Sequence, residues 1–110
     1  MNPDYYIISS NGLSQLNYQD GTGIYIKLTS VFSDYICQVY KEQNGYNFLY
    51  RLEGDWCVGP KLASDQCIYT QESNNSNLPA PDIIWYFFED MLWHADETLK
   101  VTSYYINTEE

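Results

Sequence analysis

Asn44 and Gly45 lie between two short runs of aromatic and β-branched residues, at 35–41 and 46–52. An Asn-Gly pair is a strong short-range signal for a β-hairpin, because both residues tolerate the positive φ of the tightest hairpin turns. The pattern therefore predicts an antiparallel hairpin in the middle of the chain. Gly54 follows the second run and predicts another turn, so a third strand at 55–58 would complete a three-stranded meander.

Alternating residues predict further strands on both sides of this meander. Residues 23–29 alternate between Ile or Leu and Tyr, Lys or Thr, which is the period of a half-buried strand. Residues 83–88 form a continuous apolar run that fits either a strand buried on both faces or the start of a helix through Leu92. The β-branched and aromatic content of that run favours the strand. Other predicted strands lie at 4–9, 67–71 and 98–106.

The aromatic content supports the same fold class. The chain has 12 Tyr, 4 Phe and 3 Trp, and tyrosine suits a half-buried strand because its ring is apolar while its hydroxyl reaches water. A polar, proline-containing stretch at 72–82 reads as a loop, and no repeat or linker divides the sequence. We therefore expect residues 1–110 to form a single all-β domain, an antiparallel β-sandwich or small barrel of about seven or eight short strands.

The charge balance limits the partners and the compartment. With 15 acidic and 5 basic residues the formal net charge is -10, which repels phosphate backbones, so we expect no nucleic-acid partner. No window is apolar over the roughly 18 residues that a membrane helix needs. Met1 is followed by Asn-Pro-Asp, unlike the start of a signal peptide. The expectation is a cytoplasmic protein without membrane contact, unless the chain is a processed or excised secreted domain.

Several short motifs recur along the chain, namely Gly23-Ile24-Tyr25, Phe48-Leu49-Tyr50, Trp56-Cys57-Val58-Gly59, Pro81 with Trp85, and Leu99-Lys100-Val101. They follow the pattern Gly-x-Tyr, aromatic-Leu-Tyr, Trp-x-hydrophobic-Gly, Pro-x-x-x-Trp and Leu-x-Val. Together they resemble a poorly characterised β-rich module, found singly or in tandem in large multidomain eukaryotic proteins. The resemblance spans residues 6–102; it implies a β-rich interaction domain and carries over no activity.

Cysteine and histidine could form either a zinc site or a nucleophilic site in this chain, but structural cysteines are a simpler explanation. Cys37, Cys57, Cys67 and His94 would supply a Cys3His zinc site, but the nearest cysteines are ten positions apart and form no C-x-x-C pair. Cys57, His94 and Asp96 would supply a nucleophile, a base and an orienting carboxylate. Any chain with this composition offers both sets. The odd cysteine count fits free structural thiols in a reducing compartment, and we predict no metal and no cofactor.

The acidic residues suggest no catalytic pair. Glu89-Asp90 and Asp96-Glu97 are adjacent in sequence, and neighbouring residues on a strand point to opposite faces. A glycosidase needs two carboxylates that face each other across a sugar. Scattered loop acids would leave calcium binding open, although no EF-hand loop is present. We therefore predict that the protein is not an enzyme.

The combination of many aromatics with many carboxylates points to binding. Sugars stack on Trp and Tyr rings while acids bond their hydroxyls, and aromatic faces also form protein interfaces. We expect a noncatalytic module that binds a protein or glycan through an aromatic face rimmed by acids. Self-assembly through unpaired edge strands into an oligomer or filament is the alternative. Trp56 and Trp85 read as core residues, whereas the candidate ligand-binding residues are Trp93, Asp96, Glu97 and Tyr104.

Overall fold

A computed structural model describes residues 3–11, 21–28, 39–52, 54–61, 67–71, 84–89 and 91–106. Among these residues it contains nine strands and no helix, so the described part holds no helix that could cross a membrane. All of the strand pairs are antiparallel. The strands are β1 (Tyr5–Ser9), β2 (Gly23–Lys27), β3 (Tyr40–Glu42), β4 (Phe48–Leu52), β5 (Asp55–Gly59), β6 (Tyr69–Gln71), β7 (Trp85–Glu89), β8 (Leu92–Asp96) and β9 (Lys100–Tyr104).

The nine strands form one sheet in the order β8-β7-β6-β5-β4-β3-β2-β1-β9, which curls into an open half-barrel. Strands β1 to β8 are neighbours in sequence order, and β9 returns to pair with β1. The all-β prediction is confirmed, whereas the predicted sandwich or small barrel of seven or eight strands is corrected to nine strands in a single open sheet. Strand β8 accounts for the extra strand, because no predicted strand covered residues 92–96.

The concave face of the half-barrel holds the main core. Trp56 and Trp85 are buried there, as predicted, and each strand from β1 to β7 contributes at least one buried side chain. Leu99, in the connection from β8 to β9, closes one end of this core. The buried cluster consists of Tyr6, Ile8, Tyr25, Tyr40, Leu49, Trp56, Val58, Tyr69, Trp85, Phe87 and Leu99.

A smaller cluster lies on the opposite, convex face of the central strands. Tyr50 pairs with Cys57 across β4 and β5, and both side chains are buried together with Val39 and Cys67. Phe48 and Leu52 pack against them from β4. The central strands are thus buried on both faces, which fits their nearly continuous apolar sequence.

The predicted central hairpin is present, but its turn differs from the expected two-residue type. Glu42 donates its backbone N–H to the Asn47 carbonyl at 2.8 Å, so the loop covers residues 43–46. Among the described residues, positive φ occurs at Met91, Gly23 and Gly54, and therefore not at Asn44 or Gly45. Instead, the Glu42 carboxylate accepts bonds from the N–H and Nδ2 of Asn47, at 3.2 and 3.0 Å. Gly45 is suited to this turn because a Cβ there would collide with that carboxylate.

Strand β2 shows which of its two alternating faces is buried. Tyr25 is fully buried while Ile24 and Ile26 are exposed, so the tyrosine lies on the core side of the strand. The Tyr25 hydroxyl donates to the Gly21 carbonyl at 2.6 Å, which satisfies its polar end inside the core.

Most predicted strands agree with the structure within a few residues. The run at 83–88 is strand β7 and not a helix, and strands are confirmed near 4–9, 23–29, 46–52, 55–58, 67–71 and 98–106. Of the predicted strand at 35–41, residues 35–38 lie outside the described residues, as does the whole of the predicted loop at 72–82.

Candidate functional site

The hairpin formed by β7 and β8 projects an apolar tip. Glu89 pairs with Leu92, and Met91 lies in the turn between them. Met91 has a φ of 67° and is 83% exposed, and Leu92 is 63% exposed. Positive φ is uncommon for a residue with a long side chain, because its Cβ approaches the following carbonyl oxygen. The turn is therefore strained, and two large apolar side chains are exposed to solvent beside it.

An aromatic pair lies on the convex side of the same hairpin. Phe88 and Trp93 face each other across the ladder, with ring centroids 5.1 Å apart and planes inclined by 59°. Trp93 is 42% exposed although it is one of the largest side chains in the chain. Alternation along the two strands places Tyr86 and Ala95 on the same side. We call Tyr86, Phe88, Trp93 and Ala95 the hairpin face, and Met91 and Leu92 the hairpin tip; the Leu92 side chain alternates with that of Trp93 and lies on the concave side.

Acidic residues flank the hairpin face in sequence. Residues 84–99 include four acids, Glu89, Asp90, Asp96 and Glu97, and contain neither Lys nor Arg. Glu97 is exposed in the turn after β8. The local charge of this segment is therefore negative, in keeping with the acidity of the whole chain.

Asp96 has a structural position. Its side chain is 5% exposed, and its Oδ2 accepts a 2.6 Å bond from the Ser10 hydroxyl. Its Oδ1 accepts bonds from the N–H and hydroxyl of Thr98, at 2.9 and 2.7 Å. These bonds occupy the carboxylate in holding the turn after β8 against the end of β1. The ligand-binding role predicted for Asp96 is therefore not supported by its geometry.

The four residues predicted as a ligand site are not gathered in one place. Trp93 and Asp96 are three positions apart on β8, so their side chains lie on opposite faces of the strand. Tyr104 is the last residue of β9 and stacks on Tyr5, with centroids 5.0 Å apart and an interplanar angle of 8°. Of the four, Trp93 belongs to the hairpin face, Glu97 lies at the end of β8, and Tyr104 belongs to a separate aromatic stack.

Sequence reasoning missed Tyr86, Phe88 and Ala95 of the hairpin face and both residues of the hairpin tip, Met91 and Leu92. The apolar run at 83–88 was read as buried, and Asp90-Met91 lacks the Gly or Asn that usually announces a two-residue turn. The available signal was the pair of adjacent apolar residues, Met91 and Leu92, directly after two acids. Apolar residues that directly follow two acids are unlike the end of a core strand, where the neighbouring residues are apolar too.

Cysteine and histidine do not form a catalytic arrangement in the described structure. Cys57 is buried on the convex side of the sheet, whereas His94 lies on the concave side, stacks on Phe87 and bonds the Glu89 carbonyl through Nε2 at 3.0 Å. A hydrogen bond with Cys67 and burial raise the pKa of the Cys57 thiol, which opposes formation of a reactive thiolate. Cys37 lies outside the described residues, and the residues that are described contain no group of three metal-ligating side chains.

Comparison with known proteins finds no matching protein family, no matching curated protein and no matching solved structure. The resemblance to the eukaryotic β-rich module therefore stays a prediction. Function has to be argued from the geometry of the hairpin face.

Proposed function

We propose that this protein is a noncatalytic binding module that engages a protein or glycan through the hairpin face. The observation that carries the proposal is the exposed Trp93, packed on the half-buried Phe88 and next to the exposed Met91 and Leu92 of the hairpin tip. A contiguous apolar patch on the surface of a protein domain usually marks an interaction site. Aromatic residues and methionine are also enriched in protein interfaces.

The strained tip supports a role in binding over a role in folding. A residue with a long side chain at positive φ destabilises the fold by roughly 1 to 3 kcal/mol. Met91 is largely exposed, so the packing of its side chain does not offset that cost. Burial against a ligand would supply the missing contacts for both Met91 and Leu92.

The chemistry of the face suits either class of ligand. Trp93 presents part of its ring to solvent, and a Trp ring can stack on a sugar, on an apolar side chain or on a cation. Glu97 is exposed in the turn after β8 and Glu89 is the last residue of β7, so two carboxylates that can accept hydrogen bonds flank the hairpin face in sequence. Recognition through such groups requires no catalytic residue.

The test compares Trp93→Ala with Tyr46→Ala on a glycan array and on a peptide library. Tyr46 is an 85% exposed aromatic residue in the β3–β4 turn, so its removal is a matched control away from the hairpin face. The proposal expects a ligand that the wild type and Tyr46→Ala retain and that Trp93→Ala binds about tenfold more weakly or worse, as for a central aromatic residue. Equal retention by both variants, or the absence of any ligand, would contradict it.

Self-assembly is the second candidate, favoured by the two ends of the sheet. Among the described strands, β8 pairs with β7 alone and β9 pairs with β1 alone, so each presents one edge without a strand partner. Sedimentation velocity over a wide concentration range at high salt, where repulsion between chains of charge -10 is screened, tests this candidate. A single monomeric species throughout excludes it.

A further inference from the structure

We propose that the ligand is an extended peptide rich in Lys and Arg, which adds as a new strand to the free edge of β8, the edge that has no strand partner among the described residues. This inference rests on the proposed function, because β8 carries Trp93 and thus half of the aromatic pair. It replaces the choice between protein and glycan with one recognition mode, in which backbone bonds supply affinity and side chains supply specificity.

The hydrogen-bond pattern of β7 shows which groups of β8 face the free edge. The Phe88 N–H donates to the Ile68 carbonyl at 3.0 Å, on the β6 side of β7. Phe88 and Trp93 are therefore a non-hydrogen-bonded pair of the β7–β8 ladder, and by alternation so are Tyr86 and Ala95. The backbone N–H and C=O groups of Trp93 and Ala95 consequently point away from β7, where an added strand would meet them.

This edge lacks the usual protection against strand addition. Proteins blunt exposed edges with lysine, proline or a bulge, and residues 92–95 read Leu-Trp-His-Ala, without a proline or a Lys, Arg, Asp or Glu. The ladder to β7 is regular over five residue pairs. The other free edge, on β9, begins with the exposed Lys100. Of the two edges, β8 is the one that accepts a strand most readily.

The edge is also held in position before a ligand arrives. The buried bonds from Ser10 and Thr98 to Asp96 fix the end of β8, and the closing pair Glu89 and Leu92 fixes its start. A preformed edge lowers the ordering cost that binding would otherwise incur. The ligand must still order its own chain, which favours a peptide of high β propensity.

Charge determines which peptide fits. The hairpin segment at 84–99 has four acids and no Lys or Arg, in a chain of net charge -10. A second copy of the chain would bring the same negative charge to the edge, whereas a basic peptide gains attraction at every approach. A Lys or Arg side chain on the convex side of the added strand could also lie over the Trp93 ring as a cation–π contact. The occupant is therefore a basic, extended segment of a partner protein.

The experiment uses a fluorescently labelled synthetic peptide of about ten residues that alternates Arg with Val and Thr, since alternation matches the two faces of a strand. Binding is measured by fluorescence anisotropy against the full chain. The key variant is Ala95→Pro, which removes an N–H that points to the free edge and leaves the ladder to β7 intact. Proline is tolerated on an edge strand at such a position.

Ser103→Pro is the matched control on the opposite edge of the sheet. The Lys27 backbone N–H donates to the Asp4 carbonyl at 3.1 Å, so by alternation Tyr6 bonds toward β2 while Tyr5 and Ile7 bond toward β9. The Asp4 N–H, just before β1, donates to the Tyr104 carbonyl at 2.9 Å. The alternation leaves the Ser103 N–H on the free edge of β9. Ser103→Pro should leave peptide affinity unchanged, whereas Ala95→Pro should weaken it about tenfold or more, through the lost bond and the obstructing ring.

A peptide with N-methyl groups on alternate residues tests the same bonds in the wild-type chain, so the inference stays testable if Ala95→Pro fails to fold. Methylation on the edge facing β8 should weaken binding about tenfold, while methylation on the opposite edge should not. Amide signals of Trp93 and Ala95 should shift and gain protection from exchange when the unmodified peptide binds.

Three results would overturn strand addition. They are an equal loss of affinity in Ala95→Pro and Ser103→Pro, equal binding of both methylated peptides, and dimerisation of the chain that Ala95→Pro abolishes in the absence of peptide. A glycan ligand that is lost in Trp93→Ala but kept in Ala95→Pro would also overturn it while leaving the proposed function intact. Failure of the proposed function itself shows instead as a ligand that Trp93→Ala retains.

Discussion

The Ser10 hydroxyl donates a 2.6 Å hydrogen bond to the Asp96 carboxylate across 86 residues of sequence. Thr98 donates to the same carboxylate from both its N–H and its hydroxyl, and the Asn11 N–H donates to the Thr98 hydroxyl oxygen at 2.9 Å. One buried carboxylate thus ties the end of β8 to the end of β1. This tie sets where β9 begins and places it beside β1.

Replacing Asp96 should destabilise the fold more than replacing its neighbour. Asp96→Asn removes a charged acceptor that serves Ser10 and Thr98, and bonds to a charged group contribute about 1.5 to 3 kcal/mol each. We expect a loss of about 2 to 4 kcal/mol in the free energy of unfolding by urea denaturation. Glu97→Gln, in the exposed position next along the chain, should change it by less than about 0.5 kcal/mol. Equal effects of the two variants would show that Asp96 does not hold the turn.

Two buried tyrosines in contact should respond in opposite ways to loss of the hydroxyl. Tyr6 and Tyr40 pack edge to face, with centroids 4.7 Å apart. The Tyr40 hydroxyl donates to the Pro3 carbonyl at 2.6 Å, whereas the Tyr6 hydroxyl is buried without a hydrogen-bond partner in the structure as described. Tyr40→Phe should lower the free energy of unfolding by about 1 kcal/mol, and Tyr6→Phe should leave it unchanged or raise it by about 1 kcal/mol. Thermal unfolding of the two variants measures the difference, and a larger loss in Tyr6→Phe would contradict the bonding pattern.

Acid should release the segment after β9. The Ile106 N–H donates to the Asp4 carboxylate at 2.7 Å, and this bond, with the Lys27 ammonium 3.3 Å away, holds the pKa of Asp4 below its ordinary value of 3.8. A lowered pKa means that the stabilisation is fully present above the ordinary value and is lost as the pH falls through the lower, folded-state pKa. The Ile106 amide should therefore lose exchange protection below about pH 4, and Asp4→Asn should abolish this pH dependence. Unchanged protection down to about pH 2 would contradict the link.

A substitution in the hairpin turn should separate stability from binding. Asn tolerates positive φ better than Met, so Met91→Asn should raise the free energy of unfolding by about 0.5 to 1 kcal/mol. It also removes apolar surface from the hairpin tip, so binding of the basic peptide should weaken. Leu92→Asn is the control, because it removes similar surface without relieving a positive φ. A gain in stability from both variants would show that the backbone of Met91 is not the source of the strain.

Several strands could be predicted because local pattern and local chemistry agree. Alternation at 23–27 and the turn residues near Asn44 each specify extended backbone regardless of what packs on them. The type of turn was not predictable, since the Glu42 carboxylate replaces the backbone geometry that Asn-Gly usually supplies. Likewise, β8 was missed because its turn places a methionine at positive φ, against local preference.

In the candidate site, too, some features follow from local sequence and others from contacts between distant residues. Trp93 was identified from its setting between two acidic pairs, and the structure leaves it partly exposed. Asp96 and Glu97 are adjacent acids with the same sequence pattern around them. Asp96, however, is buried and accepts a hydrogen bond from the Ser10 hydroxyl, 86 residues away. No local pattern contains that partner. Phe88 lies beside Trp93 only because β7 pairs with β8.

Periodicity, turn residues and titratable groups act locally, so the order of amino acids is enough to specify an extended backbone and a negative charge. Packing between distant segments specifies which faces are buried, and among the described strands it leaves the sheet open, with β8 at one end. Those outcomes depend on contacts between residues far apart in sequence, such as Ser10 with Asp96 and Tyr5 with Tyr104. The hairpin at Asn44 was therefore readable from a few neighbouring residues, whereas the edge that we propose as the binding site was not.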